Sequence, residues 1–297
     1  MYPAEFEYER PADLAAALDL LARHGQDAKV LAGGASLVPL MKLRLARPAL
    51  VIDIGRLPGL AGFERRDGQL VIRALTRHAD VELADDLRTT LPILHDVASR
   101  IGDPQIRNMG TVGGGVAECD PAGDWGPALL ALGASLRCVS RRGERVVPAD
   151  DFFVDAYTPA LAPDEILTEI LVPLPPRGSG GAHVKLERRS GDFAVANVSV
   201  QLTLDGAGRY ERIGIGVGAI GLKPVRAARA EAVLRGERPS EARLAEAARE
   251  VAACTEAVSD VRGSAEYRRH VAAVLFRRAV ALAERRARGG GGEGRHG

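Results

Sequence analysis

Two hydrophobic periods run through this chain and divide it into helical and extended stretches. Leu14, Ala17, Leu18 and Leu21 recur at helical spacing behind Asp13, a good capping residue, and Gly25 ends the run, so a helix is predicted there. Short apolar bursts at 30–32, 50–54 and 69–74 are predicted strands, the last within a meander punctuated by Gly59, Gly62 and Gly68. Ser36 can cap a short helix through Leu45 that stops before Pro48, and 78–84 and 94–101 also have helical spacing. After the glycines at 113–115 a loop is expected to reach Asp124, which can cap a helix with Pro127 in its first turn. Residues 136–140 and 145–147 fit a hairpin across Arg142-Gly143.

The tract 173–181, rich in proline and glycine, marks the expected domain change. Residues 1–176 then form one domain and 177–286 a second, and 287–297, largely glycine, is expected to be a disordered tail. Beyond the tract, 182–186, 195–204 and 210–220 alternate as strands, followed by helical patterns at 226–234, 240–254 and 266–286. The last has Val271, Val274, Leu275 and Leu282 on one side. Strands followed by helices imply an α+β unit with the helices on one sheet face. Gly216-Val-Gly-Ala-Ile-Gly221 matches a dinucleotide fingerprint, but its glycines alternate with Ile215, Val217 and Ala219 at the period of a strand still in progress. It is read as a strand packed closely against its neighbours.

Charge and composition narrow the function. With 40 basic and 39 acidic residues the formal charge is +1, so no bulk field attracts nucleic acid or an anionic membrane. No apolar run approaches the roughly 20 residues of a membrane span, and the N-terminus lacks the basic and apolar regions of a secretory signal, so a cytoplasmic protein is expected. Cys119, Cys138 and Cys254 are scattered, without a Cys-x-x-Cys pair, and the histidines are isolated, so no metal site and no cluster-ligand set is proposed. No nucleophile elbow is present either.

What remains is a pair of glycine-rich stretches, Lys29-Val-Leu-Ala-Gly-Gly-Ala-Ser-Leu37 and Thr111-Val-Gly-Gly-Gly115, the second leading into Asp120-Pro-Ala-Gly-Asp124. Each pairs an apolar approach with adjacent glycines and a hydroxyl residue, so backbone can approach a ligand closely and N–H groups can cradle phosphate oxygens. Either stretch alone is accounted for by turns. Together they suggest one extended dinucleotide gripped from both sides.

Ala32-Gly-Gly-Ala-Ser36, Ile106-Arg-Asn-Met-Gly-Thr-Val-Gly-Gly-Gly115 and Asp120-Pro-x-x-Asp124 resemble the FAD-binding medium subunits of molybdenum hydroxylases, as do Arg44-Leu-Ala-x-Pro48, Asp103-Pro-Gln-Ile-Arg107 and Ala265-Glu-Tyr-Arg268. The resemblance is nearer to the carbon monoxide dehydrogenase branch than to the xanthine dehydrogenase flavin domain. It implies an α+β fold: an FAD-binding region of two small α+β subdomains of the vanillyl-alcohol-oxidase type, then a three-stranded sheet with a helical bundle. It also implies FAD with its pyrophosphate between the two glycine loops. Leu31, Ala32, Gly33, Gly34, Ala35, Ser36 and Leu37 would make the first loop, and Thr111, Val112, Gly113, Gly114 and Gly115 the second. Gly33, Gly34, Gly113 and Gly114 are expected to donate N–H groups, and valine at Gly33 or Gly114 to fill phosphate space while leaving the protein folded.

Asp124 matches a position that contacts FAD, beside its plain reading as a helix cap. Lys185 matches a lysine near the flavin, where a cation raises the flavin potential, against its reading as a solvated strand residue. Ile101 and Leu167 fall where the family packs the isoalloxazine, or are simply core, and Phe193 replaces a frequent tyrosine near the flavin. Gly115 stands for a frequent asparagine and Ala35 for a histidine of carbon monoxide dehydrogenases. The implied partners are a molybdenum-containing (molybdopterin) large chain and a small chain with two 2Fe–2S clusters, paired as a dimer of heterotrimers. The competing readings are a self-contained flavin oxidase and a flavin-free scaffold; the substrate is not legible.

Overall fold

The computed structural model describes residues 2–289. The first half runs β1 (Glu7–Glu9), α1 (Leu14–His24), β2 (Ala28–Leu31), α2 (Leu37–Lys42), β3 (Leu50–Asp53), β4 (Phe63–Arg66), β5 (Gln69–Arg73), α3 (His78–Glu82), α4 (Asp85–Thr90), α5 (Pro92–Ala98) and α6 (Pro104–Met109). There follow α7 (Val112–Glu118), α8 (Trp125–Leu132), β6 (Ser135–Ser140), β7 (Gly143–Pro148), α9 (Ala149–Phe152), β8 (Phe153–Asp155), β9 (Thr158–Pro159) and β10 (Ile166–Pro173). The remainder is β11 (Ser179–Glu187), β12 (Ala194–Leu204), β13 (Tyr210–Gly218), β14 (Val225–Arg226), α10 (Ala228–Leu234), α11 (Glu241–Ala252) and α12 (Ala265–Ala287). The expected tail lies outside the described residues from position 290 onward, and Ala287 still belongs to α12.

Each sheet has its own core. The parallel sheet β1-β3-β2 packs with α1, whose Ala17, Leu18 and Leu21 are buried; Asp13 caps that helix by accepting a bond from Ala16 N at 2.8 Å, as its sequence predicts. The antiparallel sheet β4-β5-β10-β6-β7 shares a second core with α5, α7 and α8. Its central strand β10 has no counterpart in the periodicity, because it is buried on both faces and so shows no alternation. The third core joins β11-β12-β13-β14 to α10–α12; the two-residue β14 extends the expected three strands to four. On α12, Val271 and Leu275 are buried as expected, whereas Val274 is exposed.

The glycines at 113–115, and the first residues of the loop expected between them and Asp124, instead form helix α7. Thr111 Oγ accepts the Gly114 N–H at 3.0 Å, Val112 and Val116 enter the core, and Cys119 closes the helix in a left-handed turn. Tertiary burial has overridden the low helix propensity of three glycines.

The C-terminal sheet has two unlike faces. Ala182, Val184, Ala196, Val198, Val200, Ile213, Ile215 and Val217 turn into the third core with α12. The opposite face carries Gly181, His183, Lys185 and Glu187 on β11 and Asn197, Ser199 and Gln201 on β12, and it meets α5 and α8 of the first half. On β13 this face is a column of glycines. A Cβ on Gly214 would overlap the Ala131 carbonyl oxygen, one on Gly216 the Pro127 oxygen, and one on Gly218 would crowd Pro127 and Asn197. Helix α8 therefore lies directly on the backbone of β13, which explains the glycine repeat as close packing. Gly216→Ala should force α8 off this surface and cost about 1–3 kcal/mol, read as a lower melting temperature. Gly206→Ala, where a Cβ meets nothing within 4 Å, should change stability by less than about 0.5 kcal/mol.

Candidate cofactor site

The first glycine stretch links β2 to α2. Among the described residues, the backbone N–H groups of Gly33, Gly34, Ala35 and Ser36 donate to no protein acceptor. Gly34 holds φ 74°, the left-handed turn that brings successive N–H groups to one side, and Ser36, at the start of α2, makes no capping bond, so its hydroxyl is uncommitted. Such a run of free donors at a helix start is an anion-binding concavity. Ala35 is exposed beside it, with Leu31 and Leu37 half-buried at its two ends.

The second stretch abuts the first but contributes differently. Gly33 sits so close to the Met109 carbonyl that a Cβ there would overlap it, and a Cβ on Gly114 would lie 3.8 Å from Ala32. Yet Val112 N donates to Thr76 O and Gly113 N to Ala74 O, both at 2.9 Å, while Gly114 and Gly115 N–H groups are taken by Thr111. The expected donors Gly113 and Gly114 are already spent inside the protein. Val112 and Thr111 are buried, and a Cβ on Gly113 would strike Ala74. Valine at Gly33 or Gly114 would therefore collide with the protein itself, not merely fill ligand space, and would disturb the fold, contrary to the intact fold expected of those variants.

Asp124 occupies the N-cap position of α8 but does not cap it. Its carboxylate turns to the polar face of the C-terminal sheet. Oδ2 accepts from Lys185 Nζ at 2.8 Å, and Oδ1 accepts from Asn197 Nδ2 at 2.7 Å and faces His183 Nε2 at 3.4 Å. Burial pushes the Asp124 carboxyl up, but hydrogen bonds and charges from His183 and Lys185 outweigh it and hold the group below the usual carboxylate range. Lys185 is not solvated: its side chain is 2 % exposed. Its ammonium also donates to Arg100 O at 3.1 Å and lies 3.4 Å from Glu187 Oε2. His183 Nδ1 meets Ser199 Oγ at 2.8 Å, and Asp96 on α5 binds Arg286 of α12 through two bonds of 2.6 and 2.9 Å. Because Asp124 matches the Lys185 charge, that residue is first a clasp between the two halves, not a free cation.

The remaining candidates are dispersed around this clasp. Ile101 is half-buried, one residue after the Arg100 carbonyl that Lys185 holds. Leu167 is core, paired across the sheet with Cys138. Phe193 is half-exposed, and the Arg262 guanidinium lies 5.4 Å from its ring centroid, a cation–π contact. Sequence reasoning missed His183, Asn197 and Glu187, whose alternation on strands resembles a wet face, and His78, which has no distinguishing local pattern. The buried His78 ring stacks on Trp125 and receives its Nε1–H at 3.3 Å; burial pushes its pKa down to about 4. A cavity of about 360 Å³ opens beside the clasp, lined by Arg100, Asp103, Arg107, Glu187 and Ser190. Among the described residues, no group of three or more His, Cys, Asp or Glu side chains is placed to hold a metal.

Residues 4–175 match the FAD binding domain of molybdopterin dehydrogenases, and residues 182–283 match the carbon monoxide dehydrogenase flavoprotein C-terminal domain. The chain belongs to this FAD-binding family. The carbon monoxide dehydrogenase medium chain of Afipia carboxidovorans is 40 % identical over 97 % of this chain and 100 % of its own length. The nicotine 6-hydroxylase medium subunit of Paenarthrobacter nicotinovorans is 42 % identical over 92 % of this chain and 95 % of its own. A solved structure of reconstituted carbon monoxide dehydrogenase from Oligotropha carboxidovorans superposes with TM-score 0.94 at 40 % identity, covering 96 % of this chain and 100 % of that one. FAD is thus the cofactor and the chain is a subunit of an oxidoreductase. The free donors of residues 33–36 and the Ser36 hydroxyl fit its dianionic pyrophosphate, each charge-assisted bond contributing about 1.5–3 kcal/mol.

Three outcomes follow for stability. Lys185→Met leaves Asp124 and Glu187 without their cation and should cost about 3–5 kcal/mol, partly recovered by adding Asp124→Asn; equal urea midpoints for all three proteins would refute the clasp. The depressed Asp124 contributes stability that is complete above its ordinary value of 3.8 and fades as pH falls through its lower folded value. For His78 the unfolded chain binds the proton first, so stability should fall by at most about 1.4 kcal/mol per pH unit between roughly 6.5 and 4. His78→Gln, which can still accept the Trp125 bond, should flatten that part of the stability–pH curve.

Proposed function

We propose that this chain is the electron-transfer subunit of a molybdenum hydroxylase, receiving electrons from 2Fe–2S clusters on a small partner chain and passing them to an external acceptor. The observation that carries the reading is the row of uncommitted N–H groups at residues 33–36, set against the second glycine stretch. When bound there, FAD supplies two-electron carriage. The chain's own residues hold the pyrophosphate through backbone donors, align the second loop through Thr111, and close the cleft across the Asp124–Lys185 seam.

Substrate choice is assigned to another chain. Relatives named for carbon monoxide and for nicotine are equally similar to this one, at 40 % and 42 % identity. The partners are a molybdenum-containing large chain and the 2Fe–2S small chain, assembled as a dimer of heterotrimers in the cytoplasm. No described helix is long and apolar enough to cross a membrane.

The purified chain should carry FAD non-covalently, visible as flavin absorbance that acid precipitation releases. Ala35→Glu places a carboxylate at the exposed edge of the donor row, and should weaken FAD binding about tenfold or more, the equivalent of one lost charge-assisted bond. The loaded chain should be reducible by dithionite yet inert toward carbon monoxide, purines and aldehydes until the large and small chains are added. Substrate-dependent bleaching of the single chain would favour a self-contained flavin oxidase.

A further inference from the structure

A pyrophosphate brings two negative charges, and the donor row of residues 33–36 answers them only with neutral groups. A cation that serves such a site has to stand beside it and be left uncommitted. Two of the nearer cations are already matched, Lys185 by Asp124 at 2.8 Å and Arg107 by Glu82 at 2.6 Å. Arg77 is different. Its side chain is half-buried, and among the described residues its guanidinium makes no ion pair; its one bond is donated to the Met109 carbonyl. Three contacts fix where it stands. Val112 N donates to Thr76 O at 2.9 Å and His78 N to Gly110 O at 3.2 Å, so Arg77 lies directly across from Thr111 of the second glycine stretch. The Arg77 N–H donates to Asp80 Oδ2 at 2.9 Å, which anchors the residue at the start of α3. The Met109 oxygen that takes the guanidinium is the same one that a Cβ on Gly33 would overlap. Arg77 and Gly33 thus share one oxygen atom, at the head of the donor row. Met109 and Ala35 are both exposed, so the place is open.

We propose that Arg77 is a further cofactor-binding residue, a charged clamp on the pyrophosphate that supplements the backbone donors of residues 33–36. The proposal rests on the functional reading above, which puts the pyrophosphate at that row. A guanidinium carries several N–H donors in a planar fork that suits phosphate oxygens. One donor is spent on Met109 O and holds the group in place; the others meet no described acceptor and are left for the ligand. Because the Met109 carbonyl also abuts Gly33, the clamp and the donor row are set against the same peptide and keep a fixed relation to each other. The neutral donors supply direction, and Arg77 supplies the charge that they lack.

The test is Arg77→Gln in the full chain, which can still donate to Met109 O but carries no charge. FAD release, followed by flavin fluorescence, should show binding about tenfold weaker at low salt, the loss of one charge-assisted bond. The gap from the parent should narrow as sodium chloride is raised, because salt screens a charge far more than a neutral donor. Arg77→Lys, which keeps the charge, should stay nearer the parent than the glutamine protein does. Equal affinities for the parent and glutamine proteins, or a gap that salt leaves unchanged, overturn the clamp while FAD binding stands. Should the glutamine protein fail to fold, the parent decides: an FAD affinity that does not fall with salt overturns the clamp. A parent chain that carries no FAD overturns the functional reading and the clamp with it.

Discussion

A carboxylate removed from water has to find positive charge and donors, and at Asp124 that requirement organises the molecule. A single buried ion of this kind costs several kcal/mol unless it is paired, and the pairing comes entirely from the other half of the chain: Lys185, Asn197 and His183. Because the carboxylate sits at the first turn of α8, its partners can reach it only if that helix lies flat on the C-terminal sheet. The glycines of β13 permit this by removing every side chain that would lift α8 away. A charge at one end of a helix and a row of missing Cβ atoms along it are thus one constraint seen twice. Asp96 with Arg286 repeats the arrangement from α5, so a second ion pair joins the two halves.

Much of this was legible in the chain, and the failures have a common cause. Asp13 caps its helix as local chemistry dictates, and the strands of the C-terminal sheet follow their period-two pattern. Both glycine stretches stand out as clusters in the sequence. What periodicity could not say is what faces a polar row. His183, Lys185 and Glu187 alternate with Ala182, Val184 and Leu186 in the same way whether the polar side meets water or another domain. Strand β10 was hidden for the opposite reason, since a strand buried on both faces has no alternation to detect. Helix α7 was hidden because its glycines argue locally for a loop, whereas the Thr111 cap and the burial of Val112 and Val116 make a helix of them.

The two glycine stretches also divide labour in a way that composition conceals. They look interchangeable, each a small-residue loop beside a hydroxyl. In the fold, one leaves the N–H groups of residues 33–36 unsatisfied and the other spends those of residues 112–115 on Thr76, Ala74 and Thr111. The first is built to receive an anion; the second is a rigid wall that fixes where the first can be. Glycine serves openness in one and close packing in the other.

That the grip resides in main-chain donors has a consequence over evolutionary time. A side chain at position 35 can be exchanged without altering a single backbone donor of this loop. Selection on the identity of the acceptor or of the catalytic partner is therefore free to rewrite the rim of this loop. Cofactor loyalty is kept by geometry, and diversification is left to the residues that decorate it.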